Sequence, residues 1–194
     1  MKTSIAAVIG VACCLAVSGC AFAAPSATSE TTAQSSAGLL LAQNGEAAQP
    51  IIIPAKSSDA TKAVARELAE YLGRITGATF EIKEGDGSSG IVLGTLAQFP
   101  VAELKKPLEM RGPYDGVEAY AIRTEPKRVL LLGNTELGAA HATSRFLETL
   151  GMRWFFPGKN WEVVPSKNTL RYAVNESGRP VVLARSVWPG WGLV

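Results

Sequence analysis

Beyond position 20 the chain has no cysteine, and its one histidine stands alone at position 141. The first absence excludes a disulfide framework or a cysteine-built metal site in the body of the protein. The second excludes a site built on several histidines. A dominant charge is also lacking, since 19 Lys and Arg face 17 Asp and Glu for a net charge of +2. Nucleic acid calls for a dense basic stripe, so no nucleic-acid partner is expected. No apolar run reaches the roughly 20 residues that span a bilayer. No metal or cofactor is expected either.

What is there begins with an export signal. Lys2 supplies a short positive start, and "IAAVIGVACCLAV", Ile5 to Val17, is a 13-residue apolar run of secretory length. "VSGC", Val17 to Cys20, resembles the lipobox of bacterial lipoproteins, whereas "AFA", Ala21 to Ala23, suits an ordinary signal peptidase. All three cysteines, Cys13, Cys14 and Cys20, fall in this segment, which favours the lipobox with Cys20 as the lipidated residue. The expected segments are a signal peptide over 1–23 and a disordered Ser/Thr/Ala/Gln linker over 24–49. "GLLLA" within that linker is too short to pack alone. An exported protein on the periplasmic side or the cell surface, tied to the membrane through its lipid alone, is the expected outcome.

The folded body is expected over 50–178. "PIIIPA" is a short strand, and "SSDATKAVARELAEYLGRITG" a helix capped by Ser58 or Asp59 and ended by Gly77. Val64, Leu68, Tyr71, Leu72 and Ile75 recur at helical spacing and form its buried stripe. "TFEIKEGDGSSGIVLGT" reads as strand, glycine-rich turn, strand, and "PVAELKKPLEMRGPYD" as an irregular loop. "GVEAYAIRT" and "RVLLLG" form a hairpin whose second strand is buried. A second helix is expected from Glu136 to Leu150, and "WEVVPSKNTLRYAV" holds two further short strands. The pattern is α+β, a mixed sheet of about five strands with two helices.

Catalytic candidates are few. Gly133 to Gly138 spells G-x-x-x-x-G, but Ala139 and Ala140 stand where a phosphate loop needs Lys and Ser or Thr. A tight turn is the better reading. His141, Ser144 and Glu148 share one helix face, yet triads are assembled from different elements. A solvated or interdomain polar face accounts for them. A glycosidase needs two carboxylates across a cleft, and no pair here sits in a catalytic setting, so no catalytic residue is assigned. The sequon at Asn175 carries no meaning for a bacterial-type lipoprotein.

"LGMRWFFPG" puts Arg153, Trp154, Phe155 and Phe156 directly behind the second helix. Two readings compete, an exposed ligand platform and a buried plug that seats the helix on the sheet. Large aromatics are usual core anchors, which favours the plug, with Arg153, Trp154, Phe156 and Glu148 as a structural staple. On that reading Trp154→Ala costs about 3–5 kcal/mol.

Taken in order, "ARELAEYLGRITGATFEI", "GIVLG", "AYAIRTEPKRVLLLGNTELGAAHATSRFLETLGMRWFFPG" and "VVPSKNTLRYAV" resemble a known arrangement. It is the non-catalytic N-terminal domain, hexosaminidase domain 2-like, that precedes the barrel in α-glucuronidases and β-N-acetylhexosaminidases and in large bacterial proteins of the same layout. The resemblance covers about 51–185. It implies a mixed sheet with two helices on one face, packed beside a (β/α)₈ barrel that holds the catalytic carboxylates. That barrel, absent from this chain, would be the partner, with polysaccharide as a further one. Residues 179–194 would start the barrel or its linker, and the chain would be truncated there. Arg185 in "RPVVLARS" occupies the place of an arginine that holds the terminal sugar in hexosaminidases. Val181 and Val182 replace the aromatic lead of those enzymes, and Ser186 their glycine. Trp188 and Trp191 would leave an apolar patch without the barrel. The alternative is a free-standing surface lipoprotein module that binds glycan or a protein.

Overall fold

A central run of strands buried on both faces organises the fold in a computed structural model that describes residues 38–180. Strands β1 (Leu39–Gln43) and β2 (Glu46–Ala47) come first, then β3 (Ile51–Ile53), helix α1 (Asp59–Thr76), β4 (Ile82–Glu84) and β5 (Gly90–Thr95). Helix α2 (Lys105–Leu108), β6 (Tyr120–Glu125), β7 (Arg128–Gly133) and α3 (Glu136–Leu150) follow. Short strands β8 (Arg153–Trp154), β9 (Glu162–Val163), β10 (Thr169–Tyr172) and β11 (Glu176–Gly178) complete the order. The signal segment, Cys20, the linker up to residue 37, and 181–194 with Arg185, Trp188 and Trp191 lie outside the described residues.

Six strands, one more than expected, form the main sheet in the order β11-β6-β7-β5-β3-β4. β4, β3, β5 and β7 run parallel to one another, while β6 pairs antiparallel with both β7 and β11, so the sheet is mixed. Continuous apolar runs such as "IVL" and "VLLL" suit strands covered on both sides. Ile91, Leu93, Val129 and Leu131 point to one core with Ala65, Leu68, Leu72, Phe146 and Leu147 of the two long helices. Val92, Leu130 and Leu132 point the other way. The α+β class and the placement of the two long helices on one face are as expected.

Both helices have the ends their sequences call for. The Ser58 side chain accepts from Thr61 N at 3.1 Å, and Gly77 closes α1 at φ 75°. Thr135 caps α3, accepting from Gly138 N at 3.2 Å while its own hydroxyl donates to Val117 O. A Cβ on Gly133 would run into the backbone of Thr135, Gly138 and Ala139, and one on Gly138 into Ala119 O. The G-x-x-x-x-G spacing therefore serves the close approach of strand and helix.

Two expectations are corrected. Residues 38–49 are a hairpin. Asn44 (φ 52°) and Gly45 (φ 79°) form its two-residue turn, the Asn-Gly pair whose left-handed geometry matches strand twist. β1 pairs antiparallel with β10, and Leu41 and Ala42 are fully buried in the helix-side core. "GLLLA" packs because a partner strand some 130 residues later covers it, Leu39 facing Tyr172. Nor is the segment after β5 wholly irregular. A short 3₁₀ turn, Ala102–Leu104, leads into α2, and Val101, Leu104 and Leu108 bury the other face of the sheet. Pro107 is compatible because it sits in the first turn, where no intrahelical N–H bond is lost.

Candidate functional site

The region that sequence pointed to most strongly, Arg153 to Phe156, leaves the core as soon as α3 ends. Gly151 (φ 108°) terminates the helix, and Met152 N donates to Leu147 O at 3.1 Å. Met152, fully buried, is the residue that plugs the helix end. Trp154 is 36% exposed, Phe155 68% and Phe156 69%, so the buried staple is corrected to a surface feature. Met152 occupies the space nearest the helix C-terminus, and the three aromatics beyond it run out along a hairpin.

That hairpin is β8–β9, with Arg153 opposite Val163 and Trp154 opposite Glu162. Its loop is closed by Phe155 N donating to Trp161 O and Trp161 N donating to Gly158 O, each at 3.0 Å. Gly158 takes φ 108°, and the 3₁₀ turn Lys159–Trp161 brings Trp161 beside Phe156, ring centroids 5.9 Å apart and tilted by 52°. Trp161 is itself 55% exposed.

Polar contacts with α1 fix the base of the hairpin. The Trp154 indole N–H donates to Tyr71 Oη at 3.0 Å, and the two rings meet edge to face at 5.5 Å. Tyr71 Oη donates in turn to Glu162 Oε1 at 3.0 Å, while Arg74 Nη1 donates to Glu162 Oε2 at 2.7 Å. The Arg74 guanidinium also lies 5.1 Å over the Tyr71 ring. Arg74's hydrogen bond, joined by that of Tyr71, holds the Glu162 carboxyl below its ordinary range. Burial, with the nearby Glu162 charge, pushes the Tyr71 hydroxyl up. The carboxylate stays ionised and the phenol stays protonated, the states in which this relay holds together.

Trp154→Ala is accordingly expected to cost about 2 kcal/mol, one edge-to-face contact and one hydrogen bond. Urea denaturation of the wild type and variant checks it. A loss above about 4 kcal/mol is what a fully buried tryptophan would give.

The other residues singled out from sequence do not converge. His141 is half-buried with Nε2 3.7 Å from Glu118 Oε1, and Ser144 is exposed. The Glu148 carboxylate accepts from Arg145 at 3.2 Å, and its backbone carbonyl accepts from Arg153 at 2.8 Å. Glu148 and Arg153 of the staple thus do touch, through the helix-end carbonyl. Arg145 also reaches Glu176 at 2.7 Å, and Arg179 binds Asp115 Oδ1 at 2.7 Å and the carbonyl of Glu109 at 2.8 Å. The Asn175 side chain accepts from Thr124 N at 2.7 Å, tying β11 to β6. Among the described residues, no group of three or more His, Cys, Asp or Glu could hold a metal ion.

Local patterns could not show the Trp154–Tyr71–Glu162–Arg74 cluster, since its hydrogen-bonded partners lie 83 to 91 residues apart in sequence. Tyr71 reads as one more core position of α1, and Arg74 as a solvated neighbour. The one available signal was the aromatic run itself.

Among the described residues, a mixed sheet carries the two long helices on one face. Residues 32–146 match the family model described as the glycosyl hydrolase family 67 N-terminus, and the chain belongs to that family. No match was found among curated proteins. Among solved structures, a family GH115 4-O-methyl-α-glucuronidase with specificity for decorated arabinogalactans is similar at TM-score 0.48 and 19% identity, over 71% of this chain and 18% of that one. The GH20 β-N-acetylhexosaminidase from Streptomyces coelicolor A3(2) is similar at TM-score 0.39 and 21% identity, over 70% and 24%. This chain therefore spans a quarter or less of the length of those structures.

Proposed function

We propose that this chain is the non-catalytic N-terminal domain of an exported carbohydrate-active enzyme of the α-glucuronidase or hexosaminidase type, bracing a (β/α)₈ barrel and helping to shape one wall of its cleft. The observation that carries the reading is membership of the glycosyl hydrolase family 67 N-terminus over 32–146. The electrostatics agree with it. A glycosidase acid must keep its proton near neutrality, which takes a raised pKa. Glu162, the carboxylate of the aromatic hairpin, is instead held ionised by Arg74. Export rests on the apolar segment Ile5 to Val17, and attachment to the membrane on Cys20.

The coding sequence downstream of Val194 tests this directly. An in-frame or frameshifted stretch encoding a barrel of about 250 residues is the expected finding. An unrelated gene in that position would favour the free-standing module instead.

A further inference from the structure

We propose that the β8–β9 hairpin, Arg153 to Val163, is a flap latched to α1 by the charge on Glu162, and that it swings away as a unit while the core stays folded. Both of its ends are fixed to the core. Met152 is fully buried at one end, and Val164 packs against the helix-side core at the other. Just beyond, Lys167 N donates to Ile75 O at 2.8 Å. A Cβ on Gly151 would lie 3.4 Å from the Pro165 ring, so the chain leaves and rejoins the core at neighbouring points. Gly151, at φ 108°, stands where the flap begins, and hinges are a few such positions at the ends of elements.

Between those ends the flap has little apolar anchorage. Phe155, Phe156, Trp161 and Val163 are exposed, and none of them belongs to either buried core. Arg153 Nη1 holds the Glu148 carbonyl at the base, at 2.8 Å. Among the described residues, the hydrogen bonds that fasten the strands to α1 run from Trp154 to Tyr71 and from Tyr71 and Arg74 to Glu162. A segment with few buried apolar contacts, fastened by partly exposed polar bonds, lies at the low end of the range of local stabilities.

Glu162 is the member on which the latch turns. It accepts from both α1 partners, and a hydrogen bond from a guanidinium to a carboxylate is stronger than one to a neutral acceptor. The charged and titratable groups facing it are Arg74 and Tyr71 from α1 and Lys159 from the hairpin's own turn. Glu67 acts on Tyr71, and Glu70 on Arg74, from the same helix. Because the folded state holds the Glu162 carboxyl below its ordinary range, the latch is at full strength above that range. It is lost as pH falls through the lowered value. Acid therefore opens the flap, and neutral pH closes it.

Hydrogen exchange followed by NMR on the full chain tests this. In Glu162→Gln at about pH 7, the Trp154 indole N–H and the amides of Phe155 and Trp161 are expected to exchange about tenfold faster or more. The amides of Leu130 and Phe146 should keep their wild-type rates. Arg74→Gln should act in the same way and carries the test alone if the first variant fails to fold. In the wild type, the same three hairpin protons should lose protection as pH falls towards about 3, after correction for intrinsic exchange. The variants are read at neutral pH, so unfolding of the whole chain in acid does not touch that comparison. Hairpin exchange unchanged in both variants overturns the proposal. So does an equal rise at Leu130 and Phe146, which would make the hairpin part of the core's own unit. The inference rests on the hairpin's geometry and not on the accessory role.

Discussion

Phe146→Ala is expected to destabilise the protein by about 3–5 kcal/mol. The phenyl ring is fully buried on the inner face of α3 and packs against Tyr172, centroids 4.6 Å apart. It touches the core formed by both long helices and the sheet, so no single element can collapse into the space it leaves. Burial also pushes the Tyr172 hydroxyl up to about 12, and that hydroxyl is within hydrogen-bond distance of Thr149 Oγ1 at 2.9 Å. Removing the ring beside it exposes a polar group placed for a dry site. For a chain of this size the midpoint should fall by roughly 6–20 °C in a thermal melt followed by circular dichroism. A fall of under about 3 °C would mean that α3 does not pack as described.

Leu41→Ala is expected to cost about 2–5 kcal/mol. The number matters because composition alone assigns residue 41 to a disordered tether, where the same change would cost nothing. Here Leu41 is fully buried beside Leu170 and Tyr172, in the same core as the two helices. β1 pairs along its length with β10, so losing Leu41 should loosen both strands. Hydrogen exchange should register this as faster exchange at residues 169–172 as well as 39–43. Unchanged stability and unchanged exchange at β10 would return the segment to linker status.

How far the sequence was legible follows from how local each signal is. α1 and α3 are bounded by side chains and glycines within their own turns, Ser58, Gly77, Thr135 and Gly151, and their limits were readable almost to the residue. The β6–β7 hairpin was readable for the same reason, its turn at Pro126-Lys127 being flanked by runs that pair with each other. β1 was not readable from composition, because its burial depends on β10. The Asn44-Gly45 turn was a local clue that the polar composition around it outweighed. In the segment after β5, the spacing of Val101, Leu104 and Leu108 is helical, but two flanking prolines obscure it.

The site shows the same limit. An aromatic run next to a helix end suits a plug or a platform equally well. One residue, Met152, decides between them by filling the helix end first. Which acid would hold the hairpin down was invisible as well, since Glu162 reaches Tyr71 and Arg74 only through the fold.

The proposed role, support of a glycosidase barrel without glycosidase activity in this domain, has a simple test. The most direct measurement is an assay of the purified full chain for sugar release from aryl hexosaminides, aryl glucuronides and glucuronoxylan oligomers. No release above the buffer control is expected, because Glu162 is held ionised by Arg74 and Glu148 is tied to Arg145 on the surface of α3. Turnover that a single Glu148→Gln or Asp115→Asn substitution abolishes would contradict it.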